Sequence, residues 1–216
     1  MAKHQGYFVT FEGGEGAGKS TQVHRLSEYM RGLGHEVILT REPGGTLEAE
    51  RIRDLLVRND GGGWSPLEEC LLLFAARSHH IRTLIKPSVE AGKIVICDRF
   101  TDSTRAYQGY GLGVDMQKIE SLNETVIDGF QPDLTFVLDI DVRAGLARST
   151  DRLAAESSNE DRYERLDLDF HQKLRQGFLN MAEQDTARFC VIDAERSEDE
   201  IADEIKNELN KRMGMA

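Results

Sequence analysis

The sequence predicts an α/β protein in which helices cover both faces of a parallel β-sheet. Strand-like and helix-like patterns alternate along the 216 residues, and several strand-like runs are apolar on both faces. A glycine-rich segment also stands between the first strand-like run and the first helical one. No internal repeat or interdomain linker interrupts the alternation, so we expect one domain over residues 1–216.

The individual elements follow from the spacing of the apolar residues. Short apolar runs predict strands at residues 7–11, 36–40, 94–97, 134–138 and 189–192. Helical spacing predicts helices at residues 19–30, 47–56, 66–91, 116–129, 142–149, 167–183 and 198–213. The third helix has Ser65 as its expected N-cap, Pro66 in its first turn and Gly92 just after its end. Right-handed crossovers would bring the functional site to the carboxyl ends of the parallel strands.

Charge and cysteine content narrow the class of protein. The chain has 27 basic and 38 acidic residues and a formal net charge of −11, which argues against nucleic acid as its main partner. A local basic pocket for a small phosphate ligand is compatible with this charge. Cys70, Cys97 and Cys190 form no C-x-x-C pair, so we expect reduced thiols and a cytoplasmic protein. We expect no signal peptide, because the first predicted strand already begins at residue 7. We also expect no membrane span, because the apolar runs are too short to cross a bilayer.

The glycine-rich segment at residues 13–20 fits the pattern G-x-x-x-x-G-K-[ST] of a phosphate-binding P-loop. Its glycines allow backbone N–H groups to curl around phosphate oxygens. Lys19 would reach the β- and γ-phosphates, and the Ser20 hydroxyl can ligate Mg²⁺. The preceding strand and the following helix are the context that this mechanism needs. We therefore place nucleotide binding on Gly13, Gly14, Glu15, Gly16, Ala17, Gly18, Lys19, Ser20 and Thr21.

Basic and acidic residues follow the next strands of the predicted sheet. Arg41 follows the second strand, and Asp98 and Arg99 follow the third. Two guanidinium groups beside a P-loop suit bidentate contact with a second phosphate group, although ion pairs with Asp98 or Glu42 are the alternative. Asp98 ends an apolar strand and could hold Mg²⁺ through water, or it could instead N-cap the next helix.

Three further motifs carry a resemblance to a known family. They read T-R-E-P-G-G-T at residues 40–46, D-R-F-T-D-S-T at 98–104 and A-Y-Q-G at 106–109. Spaced in this way after the P-loop, they resemble the thymidylate kinases of bacterial type with lid arginines, and the likeness runs from Phe8 to about Ala194. The resemblance implies a P-loop NTPase-type three-layer fold with a five-stranded parallel sheet. It also implies a homodimer that transfers a phosphoryl group from Mg-ATP to dTMP, giving dTDP and ADP.

The resemblance also implies roles around the acceptor phosphate and sugar. Arg41 and Arg99 match the arginines that bind the phosphate of dTMP. Glu15 matches the acidic residue that approaches the sugar. Tyr107 matches the residue that crowds the sugar 2′ position, and Pro43 belongs to a turn that is often cis in this family.

Further residues of the resemblance lie around the base. Arg77 matches the arginine that reads thymine, Thr104 matches the hydroxyl residue at the thymine edge, and Gln108 lies beside the nucleoside. Ser103 of the same motif is also expected to bind the substrate. The aromatic residue that stacks on the base usually stands four positions before the arginine, where this chain has Leu73. We place the stacking on Phe74, for which a place in the core is the alternative.

The last implied element is a lid at about residues 149–163. Its polar segment 150–161 is expected to be mobile, with an idle surface loop as the alternative. Arg148 would lie near the adenine, and Glu164 would assist at the acceptor side unless it serves only as an acidic helix start. Gly16 follows Glu15, so the P-loop supplies no arginine to the transferred phosphate. Arg152 is our first candidate for that charge.

Arg162 is the second candidate, with an ion pair to Asp161 or Glu164 as its alternative. We therefore expect the catalytic roles to fall on Glu15, Lys19, Asp98, Arg99 and Arg152.

Other functions are less well supported by the sequence. The base-reading Asn-Lys-x-Asp motif of a GTPase is absent, and an ATP-driven switch would not need the paired arginines. Another P-loop kinase for a deoxynucleotide or deoxynucleoside remains the open alternative.

Overall fold

The computed structural model describes residues 6–57, 62–156 and 162–215, except for the side chains of residues 152–156. Its centre is a parallel sheet of five strands in the order β2-β3-β1-β4-β5. The strands are β1 (Tyr7–Gly13), β2 (Val37–Arg41), β3 (Ile94–Asp98), β4 (Leu134–Asp139) and β5 (Phe189–Asp193). This confirms the predicted fold class, and each strand runs one or two residues further at its carboxyl end than the apolar pattern indicated.

Helices and helical turns connect the strands. They are α1 (Lys19–Gly32), α2 (Leu47–Val57), α3 (Pro66–His80), α4 (Lys86–Glu90), α5 (Thr101–Thr104), α6 (Met116–Ile127), α7 (Val142–Glu156), α8 (Leu168–Gln184) and α9 (Glu198–Met213). Two π-helical segments, Ile81–Ile85 and Arg105–Gly111, join α3 to α4 and extend α5. Of the helices that the structure describes, none combines the length and the apolarity that crossing a bilayer would require.

The observed helices differ from the predicted ones in four main respects. The long helix expected at residues 66–91 is divided into α3, a π-helical segment and α4, and α5 with its π-helical extension was not predicted at all. The helix expected to end at residue 129 ends at Ile127, because Asp128 and Gly129 adopt left-handed backbone angles. The segment expected to be a mobile loop from residue 150 continues α7 as far as Glu156.

Both faces of the sheet are covered, which explains why its strands are apolar on both sides. On β1, Val9 and Phe11 face α1 and α9, where they join Leu26 and Ile205 in one buried cluster. The preceding residue, Phe8, faces the opposite side and packs in a second cluster, with the segment that follows α3. This alternation follows from the two-residue period of a strand and produces three layers. A third cluster packs α8 against the segment 105–111 beside the P-loop end of the sheet.

The start of α3 is fixed by a capping box. Ser65 accepts a hydrogen bond from the backbone of Glu68, whose carboxylate accepts one from the backbone N–H of Ser65, and Pro66 occupies the first turn. The N-cap predicted at Ser65 is therefore confirmed. Because α3 carries several residues of the cleft described below, this cap also sets where those side chains lie.

We predict that Ser65→Ala lowers the free energy of unfolding by about 1 kcal/mol, because the first turn loses its side-chain acceptor. Denaturant unfolding followed by circular dichroism measures the loss. Ser121→Ala is the matched control, since the Ser121 hydroxyl only bonds back to the carbonyl of Gln117 on an exposed helix face. Its change should stay within about 0.5 kcal/mol. Equal losses in the two variants would contradict a capping role for Ser65.

Candidate functional site

An open cleft of about 1020 Å³ lies at the carboxyl ends of β1, β2 and β3. This is the edge of the sheet where a doubly wound fold binds its ligands. The P-loop, the segments after β2 and β3, one face of α3 and the middle of α7 belong to its walls. Most of the residues predicted for the site line this cleft: Glu15, Gly16, Ala17, Gly18, Lys19, Ser20, Thr21, Arg41, Pro43, Arg77, Asp98, Arg99, Ser103, Thr104, Tyr107, Gln108, Arg148 and Glu164.

The P-loop turns sharply between β1 and α1. Gly13, Gly16 and Gly18 all have positive φ angles, of 133°, 67° and 86°. A Cβ atom on Gly16 would lie only 1.9 Å from the carbonyl oxygen of Gly145, so two backbone segments approach each other there. The ammonium group of Lys19 folds back and donates to the carbonyls of Gly13 at 3.1 Å and Gly14 at 2.7 Å. The loop is thus preshaped around its lysine.

Asp98 and Ser20 meet across the end of the sheet. The parallel pairing of β1 with β3 places Phe11 opposite Asp98, and the Ser20 hydroxyl donates to Asp98 Oδ2 at 3.0 Å. Asp98 Oδ1 is buried and finds no hydrogen-bond partner among the described residues. Asp98 does not cap the next helix, since α5 begins after Phe100 without a side-chain cap. A carboxylate oxygen and a hydroxyl oxygen thus lie side by side next to the P-loop.

Arg99 has an unusual backbone conformation, with a φ angle of 67°. Its guanidinium donates to Glu15 Oε1 at 3.1 Å, to the carbonyl of Gly13 at 3.1 Å and to Ser103 Oγ at 3.3 Å. It also lies over the ring of Tyr107, whose hydroxyl donates to the same Glu15 carboxylate. Arg99 therefore pairs with Glu15, and not with Asp98 as the alternative had it.

Arg41 lies on the opposite side of the cleft mouth. Its side chain is 54% exposed and donates to Glu50 Oε2 at 3.1 Å, so its ion pair is with Glu50 rather than Glu42. The other oxygen of Glu50 accepts from the backbone N–H of Gly45 at 2.8 Å. Because the Arg41 pair is exposed to solvent, a phosphate group could replace Glu50 at small cost.

Arg77 is the most deeply buried arginine of the site. Its side chain is 2% exposed, and Nε donates to Glu42 Oε2 at 2.7 Å. Nη2 donates to Thr104 Oγ1 at 3.0 Å and to the carbonyl of Phe100 at 3.2 Å. The remaining nitrogen, Nη1, is buried and has no partner in the described part of the chain. His80 donates to the other oxygen of Glu42, so Glu42 orients the guanidinium and leaves one donor unused.

Phe74 occupies a different place from the one predicted. It is 2% exposed and packs in a buried cluster with Cys70 and Ile119, while the Arg77 guanidinium lies over its ring. Leu73 lines the cleft instead. Leu73 and Phe74 both lie on α3, as predicted, but the helix directs Leu73 towards the cleft and Phe74 into the core. We therefore correct the stacking prediction for Phe74 in favour of its core alternative.

The edges of the expected lid contact the cleft walls. Arg148 donates to the carbonyl of Ala194 at 3.0 Å. Arg162 donates to the buried carboxylate of Glu69 on α3 and to the carbonyl of Leu56, so the described structure does not pair it with Glu164. The side chain of Arg152 and the residues 157–161, with Asp161, lie outside the described residues.

Burial and close charges shift the pKa values beside the P-loop. Burial and the charge of Arg99 lower the pKa of Lys19 to about 8. Burial disfavours ionisation of Glu15, but Arg99, Lys19 and the hydroxyl of Tyr107 outweigh it and hold the pKa of Glu15 at about 2. Glu15 is therefore an anion throughout the neutral range and acts as an acceptor rather than as a proton donor.

The sequence interpretation missed three buried carboxylates of the site. Glu12 lies at the end of β1 with no exposed surface, Glu42 orients Arg77, and Glu69 accepts hydrogen bonds from Arg162, Tyr163 and Gln108. Burial and the neighbouring Asp102 raise the pKa of Glu12 to about 7. A signal was present for Glu12, because a charged residue in the apolar strand Tyr7–Gly13 needs buried partners.

Comparison with known proteins identifies close relatives over nearly the whole chain. The thymidylate kinase family profile matches residues 11–205. A thymidylate kinase of Caulobacter vibrioides is 46% identical over 211 residues, which cover 98% of this chain and 99% of the relative. Another, of Desulfovibrio desulfuricans, is 46% identical over 196 residues, 90% of each chain. A crystal structure of thymidylate kinase from Ehrlichia chaffeensis has 39% identity and a TM-score of 0.74, covering 94% of this chain and 98% of that one.

We predict that Glu42→Gln lowers the free energy of unfolding by about 3 kcal/mol, because it leaves the buried guanidinium of Arg77 without a charged partner. Denaturant unfolding measures the loss. Glu50→Gln is the control, since its pair with Arg41 is exposed and its removal should cost at most about 1 kcal/mol. Similar losses in both variants would show that burial does not set the strength of the Glu42 contact.

Proposed function

The chain belongs to the thymidylate kinase family, and on that ground and from its cleft we propose that it phosphorylates dTMP to dTDP with ATP as the donor. The observation that carries the proposal is the adjacency of two phosphate sites. The P-loop ends β1, and Arg99 and Arg41 end the neighbouring strands β3 and β2. One triphosphate and one monophosphate can therefore meet end to end in a single cleft.

The donor nucleotide binds at the P-loop side. Backbone N–H groups of residues 13–20 and the N-terminus of α1 would surround its phosphates. Lys19, now held by two carbonyls of the loop, would turn its ammonium to the phosphate oxygens. Arg148 and Ala194, which contact each other at the far end of the cleft, support a place for the adenine there.

The acceptor monophosphate binds at the side of β2 and β3. Arg99 would exchange its pair with Glu15 for the phosphate, and Arg41 would exchange its pair with Glu50. Glu15 and Tyr107, already joined by a hydrogen bond, would then face the deoxyribose. A 2′-hydroxyl group would compete for space with the Tyr107 ring, which supports a preference for deoxynucleotides.

The base pocket offers one donor and one acceptor without partners among the described residues. Arg77 Nη1 and Gln108 Oε1 are both buried, and both residues line the cleft. Gln108 is held in this orientation by Glu69, because a carboxylate can only accept and therefore faces the amide nitrogen. Thymine presents O4 as an acceptor beside the N3–H donor, which complements this pair. Thr104 positions Arg77 through the hydrogen bond between them, and Leu73 is the apolar neighbour.

Asp98 and Ser20 fit a Mg²⁺ site, since a buried carboxylate oxygen is unpartnered among the described residues and a hydroxyl oxygen lies beside it. We propose that they hold the ion of Mg-ATP, with Asp98 acting through water. When bound, Mg²⁺ would neutralise charge on the β- and γ-phosphates. Lys19, Arg99 and Arg41 stabilise the charge that develops on the transferred phosphoryl group from the protein side.

The lid at about residues 149–163 completes the proposal. Its closure would exclude water that otherwise hydrolyses ATP. Arg152 remains our candidate for the charge that the P-loop does not supply, because Arg162 is engaged by Glu69 on the acceptor side. Glu164, which accepts from Ser149 at 3.3 Å, would contribute at the acceptor end of the cleft.

We also propose that the enzyme is a homodimer of the cytoplasm. On α3 the side chains of Leu67 and Leu71 stand one turn apart and are 39% and 50% exposed, which supports a partner surface on that helix. The free cysteines Cys70, Cys97 and Cys190 support a reducing compartment.

We predict that the parent protein forms ADP from ATP only when dTMP and Mg²⁺ are present, and that Lys19→Ala lowers this rate at least about 100-fold. A coupled ADP assay measures both rates, and circular dichroism checks that the variant is folded. Glu28→Ala is the control on the same helix, since Glu28 is exposed and does not line the cleft. Near-parental turnover by folded Lys19→Ala would refute the donor site.

The base pocket predicts a ranking of acceptors. Uracil keeps the O4 and N3–H pattern, so dUMP should lose only about 10- to 200-fold in kcat/KM for the missing methyl group. Cytosine reverses donor and acceptor at the same edge, so dCMP should lose about 10⁴-fold or more. Steady-state kinetics with dTMP, dUMP, dCMP, dGMP and thymidine would decide. A preference for dCMP or thymidine would favour the alternative, another deoxynucleotide or deoxynucleoside kinase.

A further inference from the structure

We propose that Glu12 is a positioning residue for Arg99, acting through the hydroxyl group of Ser103. The inference rests on the proposed function, because Arg99 is taken there as a ligand of the acceptor phosphate. Glu12 lies at the end of β1, directly before the P-loop, and Arg99 lies at the end of the neighbouring β3. The carboxylate thus stands between the donor loop and the acceptor arginine.

Glu12 is fully buried, and its carboxylate accepts hydrogen bonds only from the segment that follows Arg99, as far as the described residues go. Oε1 accepts from the backbone N–H of Phe100 at 2.7 Å and from that of Ser103 at 3.3 Å, while Oε2 accepts from Ser103 Oγ at 2.6 Å. Arg99 itself has the left-handed φ angle of 67°, which is costly for a residue with a Cβ atom. The bonds to Phe100 and Ser103 stabilise the turn in which that angle occurs.

The Ser103 hydroxyl links Glu12 to the guanidinium of Arg99 through two hydrogen bonds. The Ser103 hydroxyl donates to Glu12 Oε2, so its own lone pairs stay free to accept from the guanidinium, which can only donate. Arg99 Nη1 donates to this oxygen at 3.3 Å. The chain of hydrogen bonds therefore has one direction, from Arg99 through Ser103 to Glu12, and it orients the guanidinium beside the P-loop.

Neither of the two neighbouring carboxylates, Asp102 and Glu15, can take this role in place of Glu12. Asp102 is the other buried carboxylate of the turn, but it is bound by Arg105 and Arg188 on the far side of the short helix α5. Glu15 also pairs with Arg99, yet the acceptor phosphate would displace that contact. The contact through Ser103 can persist when the phosphate is bound, because it uses a different guanidinium nitrogen from the one that faces Glu15.

The test is steady-state kinetics on Glu12→Gln and Ser103→Ala, each with dTMP and with ATP varied. In Glu12→Gln, the new amide nitrogen would donate to Ser103 Oγ and compete with Arg99 for its lone pairs. We expect the KM for dTMP to rise about fivefold or more in each variant, the effect of weakening one hydrogen bond, with the KM for ATP within about twofold of the parent. The double variant should be no worse than the worse single one, because both act on one chain.

Glu28→Gln is the control, since it makes the same change of charge on the exposed face of α1 and should leave both constants unaltered. A parent without dTMP-dependent turnover would refute the proposed function itself. With an active parent, an unchanged KM for dTMP, an equal rise for both substrates, or multiplying effects in the double variant would each overturn the role of Glu12. If Glu12→Gln does not fold, Ser103→Ala alone decides, because it keeps the carboxylate and both backbone hydrogen bonds.

Discussion

The pairing of β1 with β3 is the constraint on which the rest of the site depends. It sets Phe11 opposite Asp98, so the P-loop and the turn of Arg99 leave the sheet side by side. Because of this pairing, the Ser20 hydroxyl donates a hydrogen bond to Asp98, and the Arg99 guanidinium donates to the Gly13 carbonyl and to Glu15. Because parallel strands end on one edge, a slip in this register would separate the P-loop from Arg99.

Buried and partly buried carboxylates determine how three arginines of the cleft are oriented. Glu42 holds Arg77, Glu15 holds Arg99, and Glu69 holds Arg162, so each cation is neutralised before any ligand arrives. This arrangement reconciles a formal net charge of −11 with a cleft for two anionic substrates. The exposed pair of Arg41 can be exchanged for a phosphate at small cost, whereas the buried pair of Arg77 is too costly to break and serves to orient its free nitrogen.

One acidic side chain joins the cleft to the segment that begins at Arg162. Glu69 accepts from Gln108, which lines the cleft, and from Arg162 and Tyr163. A group that contacts Gln108 would therefore contact a residue held by the same carboxylate that binds Arg162.

Local patterns in the sequence were sufficient for the sheet, the P-loop, the cap at Ser65 and the position of Arg99, because strand period, glycine spacing and capping chemistry act over a few residues. They could not decide which way α3 turns Leu73 and Phe74, since that depends on Ile119 of α6, which packs against this helix from elsewhere in the chain. The partners of Arg77, Arg162 and Glu12 were likewise decided only by the tertiary structure. Each is a contact across more than 20 residues, and a buried charge takes whichever partner the fold brings within reach.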